Sequence, residues 1–431
     1  MSYYFPPMGG GGVQRVLKFL KYWDFNQYHL TVVTVKPSFF YAQDGKLLEE
    51  IPSPVRVLRT GSADPFRLIY LLKKVIPLPK STAESQRRES SDLLRRIAGY
   101  LFLPDSRLLW LPFALVKIRR LHRRQPVDLI VATLPPFTTG LVGYFANRLL
   151  KIPYLLDFRD AWTNNPYLPQ MTSVHDFLQS KIEAIVVRRA TGMAFVNPNL
   201  QQYYMERYPF LSRQRCRAVR NGFDPEDFAN VEKESTPPKD DIFRVGILGT
   251  VYSQGNAPYS LLEALSRMKH DNPDLANHFR LIFVGKWAGN FLSRVSEYHV
   301  DDLLKWVDYL PHQELLRFAR QLDALCLAIQ TGLPGSENVT PGRIYEYLAL
   351  HKPILALCPL DSDLARLVWE NNAGEVVDYP DVSRSQSVLT GWLADPRVFH
   401  STYSFRSVEQ YRRDRISVQF MRFVEQILPE N

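Results

Sequence analysis

The chain has 431 residues, of which 45% are apolar and 23% are charged, and its formal net charge is +9. This length is too great for a single hydrophobic core, so we expect two or three domains of ordinary globular composition. The three cysteines lie far apart and no apolar run is long enough to cross a bilayer, which argues against a disulfide-rich secreted protein and an integral membrane protein.

The N-terminus is predicted to form a strand tail, a glycine loop and a helix. Residues 1–5 resemble the end of a short strand, residues 9–12 are four glycines, and residues 13–20 have the spacing of an amphipathic helix. This order is typical of phosphate-binding loops in α/β folds, although the spacing fits neither standard nucleotide fingerprint. Prolines and glycines stand where a signal peptide needs an apolar region. Because the strand is short, we expect the chain to begin a few residues late.

Strands and helices then alternate through both halves of the chain. Further strands are predicted over residues 30–35, 128–133, 154–156, 192–196, 243–250, 280–284, 307–310, 324–329, 353–357 and 374–377. Helices are predicted over residues 140–150, 174–190, 259–268, 312–321, 340–348 and 403–427. The alternation predicts an α/β protein with two doubly wound parallel sheets.

Composition predicts where these domains end. We expect an N-terminal domain over residues 1–231, a polar linker with paired prolines over 232–241, a C-terminal domain over 242–400, and a terminal helix within 401–431 that packs back on the first domain. In open α/β sheets, ligands bind beyond the carboxyl ends of the strands. We therefore expect two such rims to face each other across an interdomain cleft.

The helix predicted from residue 340 has features of an anion site. Thr340 is expected to cap its first amides, Pro341 suits the first helical position, and Gly342 lets an anion approach the backbone. Glu346 lies about one turn in, off the apolar face, where a carboxylate can accept hydrogen bonds from sugar hydroxyls. An ordinary capped helix with a solvated glutamate remains the alternative.

Four motifs, taken together and in this order, resemble glycosyltransferase family 4. They occupy residues 3–15, 157–163, 221–224 and 341–348, so the resemblance extends over nearly the whole chain. It implies the GT-B fold, in which two Rossmann-like domains hold the active site between them. It also implies a retaining, metal-independent transfer from a nucleotide-sugar donor, which is a co-substrate rather than a cofactor. No cofactor and no metal are expected, and the histidines show no metal-ligand spacing.

The sequence also departs from the family pattern. Many members carry two spaced glutamates, of which the first faces the donor sugar and the second the donor ribose. Glu346 matches the second, whereas Asn338 stands at the position of the first. Glu337, one residue away, is a candidate to take its part. A lysine is common where Arg343 stands, and both side chains are cationic. Residues 133–136 lack the active-site histidine that members often have there.

The predicted site residues fall into two groups. The catalytic candidates are Asp157, Arg159 and Asp160, with a local ion pair that caps the next helix as the alternative. The candidates for donor binding combine loop glycines, cations and the residues around the two glutamate positions: Gly11, Gly12, Gly249, Lys286, Glu337, Asn338, Gly342, Arg343 and Glu346. The alternatives are a flexible turn for the glycine loop and a solvated loop lysine for Lys286.

A basic region over residues 68–124 interleaves Lys and Arg clusters with apolar side chains. This pattern suits an anionic bilayer surface, with a plain solvated helix as the alternative. No nucleic-acid-binding signature is present, so no nucleic-acid partner is expected. The membrane-facing candidates are Lys73, Lys74, Arg95, Arg96, Trp110, Arg119 and Arg120.

These features favour a glycosyltransferase that acts at the membrane. The family resemblance further implies that it would move a hexosyl or related unit to a saccharide acceptor, expected to be lipid-linked, in the biosynthesis of a surface polysaccharide such as lipopolysaccharide or exopolysaccharide. The expected location is the cytoplasm, peripheral on the inner face of the plasma membrane. Two alternatives stay open: a nucleotide-sugar epimerase of the same fold, and a nucleotide-sugar-binding protein without catalysis, which the Asn338 departure would fit.

Overall fold

Every strand pairing among the described residues is parallel, as the alternation of strands and helices predicts. The computed structural model describes residues 1–37, 44–65, 67–68, 102–168, 172–229, 240–395, 399 and 401–428. The chain divides into two compact units, one formed by Met1–Arg220 with Arg413–Asn431 and the other by Asn221–Arg412. The predicted linker lies largely outside the described residues, and the domain bounds taken from composition stay predictions.

Residues 1–220 form the main part of the first unit. Its helices are α1 (Gly11–Lys21), α2 (Leu111–Arg124), α3 (Thr138–Leu150), α4 (Ser173–Arg189) and α5 (Pro198–Arg207). Its strands are β1 (Thr31–Val35), β2 (Arg56–Thr60), β3 (Ile130–Leu134), β4 (Tyr154–Phe158), β5 (Gly192–Phe195) and β6 (Cys216–Ala218).

The strands of the first unit are joined through the N-terminal segment. β1 pairs with β2, and a separate sheet has the order β3-β4-β5-β6. Between them, the backbone N–H of Ser2 donates to Val33 O at 3.2 Å and that of Thr133 donates to Met1 O at 3.2 Å. The first residues therefore run between β1 and β3, but the structure assigns residues 1–5 to no strand, so the predicted strand tail is not found. The glycine loop follows this segment directly, at the carboxyl ends of its neighbours.

Residues 221–412 form the second unit. Its helices are α6 (Tyr259–Asp271), α7 (Pro273–Asn277), α8 (Gly289–Val295), α9 (His312–Arg320), α10 (Arg343–Ala349), α11 (Asp363–Glu370) and α12 (Val382–Ala394). Its strands are β7 (Phe243–Val251), β8 (Phe279–Trp287), β9 (Leu304–Asp308), β10 (Ala324–Ala328), β11 (Ile354–Leu357) and β12 (Gly374–Val377).

The sheet of the second unit has the order β12-β11-β10-β7-β8-β9. Its strand order reverses direction between β7 and β10, which are neighbours in the sheet but not in sequence. In open α/β sheets a crevice opens at such a switch point, beyond the carboxyl ends of the strands. The loops after β7 and β10 are therefore where the topology places a ligand.

Buried apolar strands explain why these sheets form. β4 and β10 are buried along their whole length, as expected for parallel strands covered by helices on both faces. Cys326 and Cys358 lie in the core of the second unit at 0% exposure. Burial raises the pKa of the Cys358 thiol to about 12, so this side chain serves packing rather than nucleophilic chemistry.

The terminal helix α13 (Arg413–Ile427) belongs to the first unit. Its Phe420, Phe423 and Val424 pack into one apolar cluster with Phe19 of α1 and Leu155 of β4. The sequence predicts this helix from residue 403, and the structure corrects its start by ten residues. Phe405 and Ser407 have positive φ angles of 48° and 56°, in the left-handed region where a right-handed helix cannot continue.

Candidate functional site

In the first unit, a glycine and an arginine from the predicted motifs lie in contact. Gly10 has a φ of 96° and turns the chain into α1, which begins at Gly11. A Cβ atom built on Gly12 would lie 1.5 Å from Nη1 of Arg159, so only glycine lets the guanidinium lie against this turn. The N–H groups of Gly11 and Gly12 donate to no described residue. Free amides and a cation at a helix start together favour an anion.

Arg159 is held in place by backbone carbonyls. Its Nε donates to Leu134 O at 3.1 Å and its Nη2 donates to Pro135 O, while its own N–H donates to Leu134 O at 2.9 Å. Burial lowers the pKa of the Arg159 guanidinium, against the opposing charge of Asp160. Burial also raises the pKa of the Asp160 carboxyl, which makes no hydrogen bond to a described residue. Arg159 therefore lies beside the glycine loop, and Asp160 follows it in the chain.

Asp157 has a different place from the one predicted for a catalytic residue. It is 3% exposed, and its carboxylate accepts from Nη2 of Arg15 at 2.7 Å and from Oγ1 of Thr133 at 2.8 Å. Arg15 also donates to the carbonyls of Val219 and Arg220, at 3.0 and 3.1 Å. The expectation that Asp157 touches substrate is corrected, because its oxygens are engaged in a buried ion pair that joins α1 to β3 and β4.

In the second unit, another glycine and arginine lie in contact at the switch point. Gly249 has a φ of 108°, and a Cβ atom built there would lie 2.6 Å from Nε of Arg343. Gly285 is its partner on β8, and a Cβ atom on Gly285 would lie 2.2 Å from Gly249 O. Glycine at both positions lets the two strand ends and the guanidinium approach closely. The structure thus brings together Gly249, Gly342 and Arg343 of the predicted donor site.

The donors of Arg343 have no partner among the described residues. The side chain is half-buried, and it forms no hydrogen bond or ion pair with any residue that the structure describes. A guanidinium offers a planar fork of N–H groups that matches phosphate oxygens. Such a group, positioned by Gly249 at the switch point, is the feature of the second unit best suited to an anionic ligand.

The start of α10 differs from the prediction. The helix begins at Arg343, with Gly342 as its N-cap and no side-chain capping bond. The predicted cap by Thr340 is wrong, because Oγ1 of Thr340 instead donates to Oδ2 of Asp363 at 2.9 Å. Asn221 lies beside this turn, since a Cβ atom on Gly342 would be 3.5 Å from its Nδ2.

Glu346 is held by a histidine that the sequence did not single out. Nε2 of His312 lies 3.0 Å from Oε1 of Glu346, and Nδ1 lies 3.9 Å from Oδ2 of Asp227. Glu346 keeps 18% of its side chain exposed. Nothing in the sequence indicated that His312 contacts Glu346 and Asp227. The three residues are far apart in sequence, and only the fold brings them together.

The remaining donor candidates lie at loop positions of the second unit. Nδ2 of Asn338 donates to Oε1 of Glu337 at 2.8 Å. Asn338, at the first glutamate position, therefore contacts the neighbouring glutamate that is the candidate to take its part. Lys286 is exposed near the end of β8, with its Nζ 5.7 Å from the ring centre of Tyr309. In the described part of the chain no cluster of three metal-ligating side chains is found.

The residues predicted to face a membrane differ in where the structure places them. Lys73, Lys74, Arg95 and Arg96 lie outside the described residues. Trp110 is 0% exposed and its Nε1 donates to Oγ1 of Thr60 at 2.7 Å, so the prediction that it faces a membrane is wrong. Arg119 and Arg120 are exposed on α2. Where helices are described, none combines the length and apolar character that a membrane crossing needs.

Comparison with known proteins identifies similar families and folds. Residues 10–222 match the family described as Glycosyl transferase 4-like domain, whereas no curated protein matches the chain in sequence. The structure is similar to HepE of Anabaena in complex with UDP-glucose, with 13% identity, a TM-score of 0.63 and 98% of each chain covered.

Two further solved structures share this architecture. One is the sucrose-phosphate synthase of Thermosynechococcus elongatus, with 15% identity, a TM-score of 0.64, and coverage of 97% of this chain and 94% of that chain. The other is the N-terminal domain of Candida albicans trehalose-6-phosphate phosphatase, with 11% identity, a TM-score of 0.64, and coverage of 99% and 97%. The fold of this chain is GT-B, with two Rossmann-like α/β domains, as expected.

Proposed function

Because the chain belongs to glycosyltransferase family 4 through residues 10–222, we propose that it is a retaining, metal-independent transferase. Its donor would be a nucleotide sugar, from which it would move a hexosyl or related unit. Its acceptor would be a lipid-linked saccharide in surface polysaccharide biosynthesis, at the cytoplasmic face of the plasma membrane. The HepE neighbour was solved with UDP-glucose, which supports a nucleotide-sugar donor here.

The observation that carries this proposal is the contact between Arg343 and Gly249. It sets a guanidinium with unengaged donors at the switch point of the second sheet, where α/β folds bind nucleotides. Negative charge builds up on the diphosphate as the bond to the sugar breaks. A positioned cation stabilises that charge in the transition state more than in the ground state, and this difference is what accelerates the reaction.

The proposed chemistry needs no side-chain base. As the glycosidic bond to the donor breaks, the departing diphosphate oxygen accepts the proton of the acceptor hydroxyl, and the acceptor oxygen bonds to the same face of the sugar. Arg343 and Lys286 would stabilise the diphosphate. Glu346, held by His312, would accept hydrogen bonds from the ribose hydroxyls. Arg159, beside the glycine loop of the first unit, and Asp160 would face the acceptor.

A donor panel tests this proposal against its alternatives. Purified protein would be incubated with nucleotide sugars that differ in base and sugar, with and without saccharide acceptors. Donor hydrolysis or transfer with retained configuration is the expected result. Formation of an epimer would favour the epimerase, and binding without turnover would favour the binding protein.

Matched variants and a chelator sharpen the test. Arg343→Ala is expected to lose turnover, whereas Arg267→Ala, which removes an exposed cation on α6, is expected to keep it. Activity should also persist in a chelator, because a guanidinium rather than a divalent cation would hold the diphosphate. Loss of activity in the chelator with recovery on adding magnesium or manganese would contradict metal independence.

A further inference from the structure

A groove in the first unit lies apart from the glycine loop and has not been assigned above. It opens between the carboxyl ends of β1 and β2 and the first turns of α2, and its volume is about 490 Å³. Lys36 follows β1, Arg59 and Gly61 lie at the end of β2, and Lys117 and Arg120 lie on α2. The groove therefore belongs to the rim on which α/β folds place their ligands.

Positive charge in the groove has no counter-charge among the residues that the structure describes. Lys36, Arg59, Lys117 and Arg120 line it, and no Asp or Glu among the described residues does. None of the four cations forms an ion pair with a described residue. Four cations around one concavity repel each other, and an anion bound among them would relieve that repulsion.

Arg59 is the cation of this cluster that the protein backbone holds in place. One guanidinium nitrogen donates to Pro6 O and the other lies 3.5 Å from Val35 O, so the side chain is fixed on the groove floor. Burial lowers the pKa of Arg59, which reflects the cost of holding an unpaired charge there. The bond to Pro6 also connects the groove to the segment that leads into the glycine loop.

The α2 side of the groove also carries exposed apolar side chains. Phe113 is 42% exposed and Val116 is 50% exposed, both on α2. A Cβ atom on Gly61 would lie 3.2 Å from Cδ1 of Phe113, so glycine leaves room for the ring to lie across the end of β2. Where exposed apolar side chains form a contiguous patch, they mark an interaction or ligand-binding surface.

We propose that this groove binds a lipid phosphate, that is, a phosphate or diphosphate ester of a long apolar chain. The cations would bind the phosphate oxygens, and Phe113 and Val116 would contact the first carbons of the chain. A free phosphate would leave the apolar side chains exposed, and a neutral lipid would leave the cations unpaired. This inference rests on the proposed function to the extent that such a lipid would carry the saccharide acceptor.

Binding of soluble probes tests the groove directly. Dodecyl phosphate below its micellar concentration would be titrated calorimetrically against the full chain, beside inorganic phosphate and the neutral dodecyl maltoside. Dodecyl phosphate is expected to bind at least tenfold more tightly than either. Equal affinity for inorganic phosphate would mean that the apolar side chains do not contribute, and equal affinity for dodecyl maltoside would mean that the cations do not. Either result overturns the proposal.

Variants on one helix provide the control. Lys117→Ala combined with Arg120→Ala removes two groove cations and is expected to weaken dodecyl phosphate binding at least tenfold. Arg123→Ala combined with Arg124→Ala removes two exposed cations of α2 outside the groove and should change it less than twofold. Val116→Ser should lower the affinity for dodecyl phosphate towards that for inorganic phosphate. Unchanged binding in the first variant would contradict the assignment.

A nucleoside diphosphate titrated in parallel separates this inference from the proposed function. The groove variants should bind it as the wild type does, because its site is assigned to the second unit. If the wild type binds dodecyl phosphate but no nucleoside diphosphate, the proposed function fails and the groove assignment stands. If it binds only the nucleoside diphosphate, the groove assignment fails alone.

Discussion

Both units use one structural device, an arginine lying on a glycine, but they use it differently. In the first unit Arg159 lies on Gly12 and donates to the carbonyls of Leu134 and Pro135. In the second unit Arg343 lies on Gly249 and has no hydrogen-bond partner among the described residues. The first arginine braces the loops around it, whereas the second keeps its donors for a ligand. A cation at a strand end therefore indicates a ligand site only if the protein does not already engage its N–H donors.

The same contrast extends to the neighbouring carboxylates. Asp157 is fully engaged by Arg15 and Thr133, and its side chain is only 4% exposed. Glu346 contacts His312 and keeps 18% of its side chain exposed. We therefore expect changes in the first cluster to alter stability and changes in the second to alter ligand affinity.

The largest expected effect is on stability, from Asp157→Ala. This change leaves Arg15, at 1% exposure, buried without its carboxylate, and removing one partner of a buried pair costs about 3–5 kcal/mol. Denaturant unfolding would measure the loss in the free energy of unfolding. Glu263→Ala, which breaks an exposed pair with Arg267, is the control and should cost no more than about 0.5 kcal/mol. Equal losses in the two variants would refute the bracing role.

Glu346→Ala should affect affinity instead. It is expected to weaken binding of a nucleotide-sugar donor by about 1.5–3 kcal/mol, the scale of hydrogen bonds to a charged group. The measurement is calorimetric titration of donor and nucleotide into the folded variant. His312→Ala, which only releases Glu346, should cost less, about 0.5–1.5 kcal/mol. Unchanged nucleotide affinity in Glu346→Ala would rule out the ribose contact.

The smallest expected effect comes from Asp160→Asn. Burial raises the pKa of Asp160 above its unfolded value, so the folded state binds the proton more tightly and the ionised carboxylate is a net cost above the folded pKa. The variant should therefore be slightly more stable than the wild type at neutral pH. This advantage should shrink as pH falls through the folded pKa. Thermal unfolding of both proteins across that range would show it, and an advantage that grows in acid would contradict it.

Strong local patterns predicted most of the fold. The apolar runs of β4, β7 and β10 and the amphipathic spacing of α9 gave elements close to those observed. β2 was missed because Arg56 and Arg59 interrupt its apolar pattern. α5 was missed because its start resembles a turn, whereas the structure shows Asn197 accepting from Leu200 N–H at 2.7 Å as an N-cap, with proline at the first helical position.

The site was predicted by motif and completed by tertiary contacts. Sequence marked Gly12, Arg159, Gly249 and Arg343 separately, but the two glycine–arginine contacts join distant segments and follow from strand order. The burial of Trp110 had no local signal, because a tryptophan among arginines fits a membrane face and a packed core equally well. Its 0% exposure and its hydrogen bond to Thr60 distinguish the two.

The most direct measurement is calorimetric titration of a nucleoside diphosphate into the wild type, Arg343→Ala and Arg159→Ala. Losing a charge-assisted bond to phosphate costs about 1.5–3 kcal/mol, so Arg343→Ala should bind at least tenfold more weakly. Arg343→Lys should recover part of the loss, because it restores the charge without the planar fork. Arg159→Ala should bind within about threefold of the wild type, because no donor contact is assigned to Arg159. On a scale where about 1.4 kcal/mol corresponds to a tenfold change in affinity, this is a small effect. Wild-type affinity in Arg343→Ala, or an equal loss in both alanine variants, would contradict the central claim that the second unit alone keeps its arginine for the donor.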